Sequence, residues 1–345
     1  MLLSGLCLMS GLARAQASAP IHSGASLDYQ PAPLRLANGE LLVVIERLAP
    51  KTNLGDLLLT RSRDGGTTWD APVPIVSTPL SERHPALVQL PDGGLALFYL
   101  VLEGGGINRI HRATSPDGTR WTRRGALDLG WGDGKELNPS VILEPEGTLT
   151  LAYQRQNGAA YLARSTDGGA TWDTLRTQLS EGWAALPRIT RRDTDGLYVV
   201  TYQVNPGNYR LQLRSKASTN PYDWSAPSAL VSGGANTHDS QPLTLEDGTF
   251  LVTYIEQVGS SAFDLYYRLS PDGLRWSEPQ ALTASSANYD IQPHPILQGS
   301  PGRVSLFWSC QSGATPYSTH DIWMMRDLAV LPLPWHLEPT ASIKM

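Results

Sequence analysis

One short peptide governs what this 345-residue chain can fold into. Ser62-Arg63-Asp64-Gly65-Gly66-Thr67-Thr68-Trp69 recurs as Ser165-Thr166-Asp167-Gly168-Gly169-Ala170-Thr171-Trp172. Shorter copies are Ser115-Pro116-Asp117-Gly118-Thr119-Arg120-Trp121 and Ser270-Pro271-Asp272-Gly273-Leu274-Arg275-Trp276, and a worn one runs from Ser218 to Trp224. Between copies lie a proline, an alternating apolar run and a turn glycine: Gly39, Gly93, Gly147, Gly196, Gly248 and Gly302, spaced 49 to 54 residues apart. Repetition at that period marks units that cannot bury their apolar faces alone and must stack on one another.

Each unit reads as four strands. In the fifth, Leu243-Thr244-Leu245, a turn at Gly248 and Phe250-Leu251-Val252-Thr253-Tyr254 form a hairpin; Phe263 to Ser270 is the third strand, and a short one follows Trp276. Helical periodicity is absent, and 32 Gly with 26 Pro favour many turns. The expected fold is all-β: one six-bladed β-propeller of four-stranded antiparallel blades over residues 18–345. Within the repeated peptide the Asp caps turn amides, the Gly takes positive φ and the Trp packs inward. One carboxylate per copy is too few for a calcium loop, and no metal or cofactor motif appears elsewhere.

Net charge is −5, which gives no basic face for nucleic acid. Residues 1–17 read as a secretory leader, with an apolar run at Leu2–Met9 and small-x-small positions at Ala13, Ala15 and Ala17. That implies a secreted or periplasmic monomer, with no membrane span and no intrachain disulfide once Cys7 is removed, since Cys310 alone remains. Ring closure is expected to borrow a strand from residues 21–25.

The repeated peptides are Asp-box, or BNR, repeats, and the chain resembles the sialidase superfamily. The resemblance implies a propeller that acts on glycans. Family sialidases open the first blade with aromatic-Arg-Ile-Pro, whose Arg grips the substrate carboxylate; the matching stretch here is Tyr29-Gln30-Pro31, with Gln30 in place of that Arg. The second strand is similar to the family at Glu46-Arg47, the loop from Leu48 to Gly55 lacks the family's acid/base Asp, and Asp56 falls on the third strand. Tyr317 echoes the family's late tyrosine.

Aligning the units on Pro31, Pro85, Pro139, Pro187, Pro242 and Pro293 places Asp28, Glu82, Glu136, Ala184, Asp239 and Asp290 three residues earlier. Gln30, His84, Asn138, Leu186, Gln241 and Gln292 stand one residue earlier. Positions two apart share a strand face, so both sets are expected to line one mouth of a central channel. The expected catalytic carboxylates are Asp239 and Asp290, with Glu136 and Glu82 behind them. One would protonate the leaving oxygen while the other attacks or activates water. Substrate contacts are expected from Asp28, Gln30, Arg47, His84, Asn138, Arg155, Arg188, His238, Gln241 and Gln292, and from the indoles of Trp131 and Trp183. The function so implied is a secreted glycoside hydrolase with a glycan substrate. Two alternatives stay open: a non-catalytic carbohydrate-binding propeller, and a polysaccharide lyase using His84 or Tyr29 as base and Arg83 or Arg155 against a uronate. Polar side chains around a wet tunnel, or a cation held by the acids, would explain the ring without chemistry.

Overall fold

The computed structural model describes residues 18–330 apart from 23, 25, 157, 208–209, 232–233, 260–261, 285–288 and 312–318. The leader at 1–17 and Tyr317 lie outside the described residues. The described residues contain strands and no helix. Three sheets have four antiparallel strands each: Ser81–Gln89 to Thr122–Ala126, Glu136–Leu143 to Thr177–Gln178, and Ala185–Arg192 to Ser228–Ala229. The expectation of one separate sheet per repeat fails for the remainder. A single 12-stranded mixed sheet holds the first, fifth and sixth repeats. Its three antiparallel quartets are tied by isolated parallel pairs, Phe263 with Tyr289 and Leu27 with His320. The whole is propeller-like.

Packing follows the repeat. Apolar clusters straddle successive units: Leu42 and Leu57 with Leu95 and Tyr99, then Phe98 with Tyr153 and Trp172, and so on. One cluster joins Phe307, Ile322 and Met324 of the last unit to Leu41, Val43 and Ile45 of the first. Tyr99, Tyr153, Tyr202, Tyr254 and Trp308 are buried between units, as their strand positions predict. The Asp boxes abut the preceding unit. Gly169 has φ 87°, and a Cβ there would lie 2.7 Å from Phe98; Gly273 has φ 73°, and its Cβ would lie 2.2 Å from Val199. Glycine is required by conformation and contact together. Asp64 accepts bonds from the amides of Thr67 and Thr68, both at 2.9 Å, and Asp167 repeats this with Ala170 and Thr171.

The feature that shapes the mouth is a bulge in every first strand. Pairing with the second strand slips between Tyr29 and Ala32, Arg83 and Ala86, Leu137 and Ser140, Ala185 and Arg188, His238 and Gln241, and Ile291 and His294. Inside each slip a non-glycine residue is left-handed: Gln30, His84, Asn138, Leu186, Asp239 and Gln292, with φ of 47°, 49°, 54°, 47°, 49° and 59°. Each costs about 1–3 kcal/mol of local strain. Proline follows in five cases, where its missing N–H does no harm to the ladder.

The fifth case corrects the sequence alignment. Ser240, not Pro242, stands where the others have proline, so that unit was set two residues out of register. Asp239 therefore belongs with Gln30 and His84, and Thr237 with Asp28, Glu82, Glu136 and Asp290. Gln241 falls with Ala32, Ala86, Ser140, Arg188 and His294.

The N-terminal clasp also shifts. Ser18–Pro20 pairs antiparallel with Trp323–Met325, and the Ile21 amide donates to the Ile322 carbonyl at 2.8 Å. The clasp is 18–21, earlier than expected, because Ile21 fills the cluster of Leu41, Ile45 and Phe307. Ile21→Ala is expected to lower unfolding free energy by about 2–5 kcal/mol in a denaturant titration. An unchanged midpoint would show that the clasp carries no stability.

Candidate functional site

The first strands begin, the second end and the third begin at one mouth; the Asp boxes lie at the other end. At the mouth, strain at the bulges exposes amides that the ladder no longer pairs. A side chain of the preceding unit takes most of them. Glu46 Oε2 accepts from the His84 amide at 2.9 Å, Gln154 Oε1 from Leu186 at 3.3 Å, and Gln203 Oε1 from Asp239 at 3.3 Å. These three share one register, opposite Tyr29, Leu137 and Ala185. In the last two units that position is Ile255 and Ser309, and the left-handed residue itself reaches across. The Gln292 amide faces the Asp239 carboxylate, and Gln292 Oε1 accepts from the Gln30 amide at 2.8 Å.

Two members of this girdle are acids where amides do the same work. Burial pushes Glu46 up to about 7, against the His84 amide and the Arg83 charge. Burial likewise pushes Asp239 up to about 6, against the Arg188 charge and the Gln292 amide. Desolvation outweighs pairing in both.

Below the girdle lies a cavity of about 190 Å³ on the axis, whose polar lining includes Gln30, Arg188, Asp239, Gln241, Gln292 and His294. Arg188 is lowered to about 10 by burial, with Asp239 opposing. His84 and His294 are held neutral, near 3, by burial and then by the Arg188 charge.

The expected ring of channel-facing acids is not there. Of the four expected catalytic carboxylates only Asp239 lines the cavity. Asp290 is buried and accepts from Trp308 Nε1 at 3.0 Å, and the charge that raises it is Asp264, not Asp239. Glu82 is buried and takes the Thr78 hydroxyl at 2.5 Å. Glu136 is buried against Arg155 Nη1 at 3.0 Å, and Asp28 is forked by Arg47 at 2.6 and 2.8 Å. Two residues before a bulge the carboxylate is taken up by a side chain near in sequence, because the slip in the ladder breaks the alternation that would have kept it on the channel side.

Substrate candidates divide similarly. Asn138 Nδ2 donates to Gln154 at 2.7 Å, and His238 Nε2 lies 2.8 Å from Asn236 Oδ1. Trp131 is already engaged: Arg155 lies over its ring at 4.1 Å and Arg176 at 4.4 Å, and its Nε1 donates to Tyr153 at 2.8 Å. Trp183 remains open, 40% exposed. Sequence reasoning missed an aromatic belt beside Asp239. His238 contacts Phe263 (5.3 Å between centroids), Phe263 contacts Tyr289 (5.2 Å), and His320 contacts both Tyr289 (6.4 Å) and Tyr29 (4.5 Å). Glu46 and Asp239 flank it, since the first raises Tyr29 and the second Tyr289, each after burial. Strand position alone could have placed Tyr29 one residue before a bulge and Tyr289 at the start of a first strand. Among the described residues no cluster of three metal-ligating side chains occurs.

A family model for a BNR repeat-like domain matches residues 29–190. No curated protein sequence matches. Solved structures do. A protein of unknown function from Dyadobacter fermentans superposes with TM-score 0.70 at 16% identity, over 90% of this chain and 97% of that one. NanB sialidase from Streptococcus pneumoniae gives 0.70 at 13%, over 92% and 71%. An α-L-arabinanase from Penicillium chrysogenum, solved with arabinobiose, gives 0.63 at 19%, over 87% and 93%.

The girdle makes a prediction about stability. Glu46 has a folded pKa of about 7 against 4.5 ordinarily, so the stability it contributes is complete below the ordinary value and is lost as pH rises through about 7. The loss is on the order of 3 kcal/mol at about 1.4 kcal/mol per pKa unit. Glu46→Gln keeps the acceptor for His84 and removes the ionisation. The variant should match the wild type at pH 4 and exceed it in melting temperature at pH 8. Equal melting at pH 8 would refute the buried acid.

Proposed function

We propose that this sialidase-superfamily fold, closed as six blades, is an exported glycoside hydrolase that cleaves a glycan at the girdled mouth. The observation that carries the reading is the pair of acids, Asp239 and Glu46, set where the same stapling is done elsewhere by Gln154, Gln203 and Gln292. A chain under stability selection alone gains nothing from a buried acid where an amide serves, so the acids point to chemistry. The hydrolase-like fold and the neighbouring aromatic belt, suited to stacking on sugar rings, support the same reading.

The two environments assign two roles. Asp239, beside Arg188, ionises first and works as the carboxylate that attacks the anomeric carbon or activates water. Glu46 keeps its proton to near neutrality and donates it to the departing glycosidic oxygen. The carbon–oxygen bond breaks and water supplies the new hydroxyl: if Asp239 attacks, Glu46 takes the proton of the water that displaces it, and if Asp239 activates water, Asp239 takes that proton and both acids re-equilibrate with solvent. This differs from the Asp239–Asp290 pairing expected from sequence, in which Asp290 is taken by Trp308.

A binding module is the second reading, favoured by the stapling itself, because Asp239 and Glu46 already have structural partners. A panel of labelled glycans followed by reducing-end release separates the two, and ultraviolet absorbance of the product would reveal a lyase. Wild-type turnover should rise as pH passes about 6 and fall beyond about 7. Asp239→Asn and Glu46→Gln should each lose at least about a hundredfold in kcat with folding intact. Full activity in both variants, or no turnover on any glycan, would sink the proposal.

A further inference from the structure

Five Asp boxes close five of the six seams between units, and the tryptophan of each packs against the unit before its own. Trp69 meets Phe307 edge-on with ring centroids 5.9 Å apart, and Trp172 meets Phe98 at 5.6 Å. Trp121 packs on the cluster of Leu42 and Leu57, Trp224 on that of Ala152 and Leu162, and Trp276 on that of Val199 and Ala217. The sixth unit carries no such peptide. At its seam with the fifth lies a cavity of about 280 Å³, walled by Leu245, Thr249 and Leu269 on one side and by Pro301, Gly302 and Val330 on the other.

The cavity has the position of a missing box. Leu245 stands three residues before its turn glycine, as Leu90 does, and a Cβ on Gly168 of the next box would lie 3.5 Å from Leu90. Leu269 stands one residue before its box serine. At that place Arg61 donates to the Asp117 carbonyl of the next box at 2.7 Å, and Arg164 lies 6.0 Å over the ring of Tyr222 in the next. An arginine there suits a polar neighbour, and a leucine suits an apolar one.

Pairing register identifies the neighbour. The box serines Ser62, Ser115 and Ser165 pair with Leu41, Leu95 and Leu149, each two residues after a turn glycine, and in the sixth unit Val304 pairs with Leu328. Ser62 and Ser165 precede their tryptophans by seven residues, and Trp335 follows Leu328 by seven. Between them runs Leu331-Pro332-Leu333-Pro334. Asp64 satisfies the amides of Thr67 and Thr68, whose places are taken by Leu333 and Pro334. Proline has no amide to satisfy, and its fixed φ gives rigidity without a capping acid. The Val330 amide donates to the Gly302 carbonyl at 3.1 Å, which brings the chain to the cavity wall. Residues 331–345 lie outside the described residues. Five residues reach at most about 18 Å, more than the width of such a cavity.

We propose that the segment Leu331-Pro332-Leu333-Pro334-Trp335 docks in this cavity as a sixth closing peptide, with the Trp335 indole filling the seam between the fifth and sixth units. The site lies at the end of the seam away from the girdled mouth, and the inference does not rest on the hydrolase reading.

Thermal unfolding of the full chain tests the docking through a double-mutant cycle. Trp335→Ala should lower the melting temperature by about 5 °C, as loss of a buried indole does. Leu245→Ala should lose part of its effect once the indole is gone, so that the double variant falls short of the summed shifts by at least about 2 °C. Leu90→Ala, the matching change in the second unit, should add to Trp335→Ala in full. If Trp335→Ala fails to fold, Trp335→Phe runs the same cycle with a smaller loss. An unchanged melting temperature in Trp335→Ala, or full additivity with Leu245→Ala, would overturn the proposal. So would a wild type that sediments as a dimer and dissociates on Thr249→Arg, because the cavity would then belong to a second copy of the chain.

Discussion

The left-handed bulge at the head of each first strand is the constraint on which the rest depends. It costs strain in six places and strips an amide of its ladder partner at the most crowded point of the molecule. A buried amide cannot stay unpaired cheaply, so the preceding unit must supply an acceptor. Glu46, Gln154, Gln203 and Gln292 do so at four of the six junctions, and each bond therefore fixes one unit against the next. Apolar clusters between units give the bulk of the cohesion. The staples give register.

That arrangement also sets the ionisation of the girdle. The girdle needs acceptors of fixed position, and a carboxyl group meets the geometric requirement as well as an amide does. Wherever the acceptor is an acid, burial holds its proton to higher pH without any further device. Glu46 and Asp239 are thereby preorganised by the same bonds that close the ring, and the aromatic belt from His238 to Tyr29 spans the gap between them. The bulges also turn Arg188 and His294 onto the axis. Ionisation and burial compete at Glu46, and the alkaline instability expected of the wild type is the trace of that competition.

The repeat made the architecture legible. Asp-Gly turns, the period near fifty residues and the interleaved apolar runs announced stacked four-stranded units, and Tyr99, Tyr153, Tyr202, Tyr254 and Trp308 pack where alternation put them. The site was legible in composition and not in orientation. Asp28, Glu82, Glu136 and Asp290 are real features of the mouth, but a bulge cancels the alternation that strand logic relies on, and their carboxylates are taken by Arg47, Thr78, Arg155 and Trp308. Alignment on proline failed at Ser240 for a related reason, since Ser can follow a left-handed residue as well as Pro can. Trp131 was misread because sequence cannot show that Arg155 and Arg176 both lie over its ring. Glu46 was visible at the end of its strand, yet nothing local distinguishes a staple from a surface acid.

Amide hydrogen exchange under native conditions tests the girdle most directly. The amides of Gln30, His84, Leu186 and Asp239 sit in irregular backbone beside a water-accessible channel, and without staples they would exchange as loop amides do. With the staples they should exchange only when neighbouring units separate, within about tenfold of core amides such as Val43 and Val199. Fast exchange at these four positions, with the second strands still protected, would contradict the account.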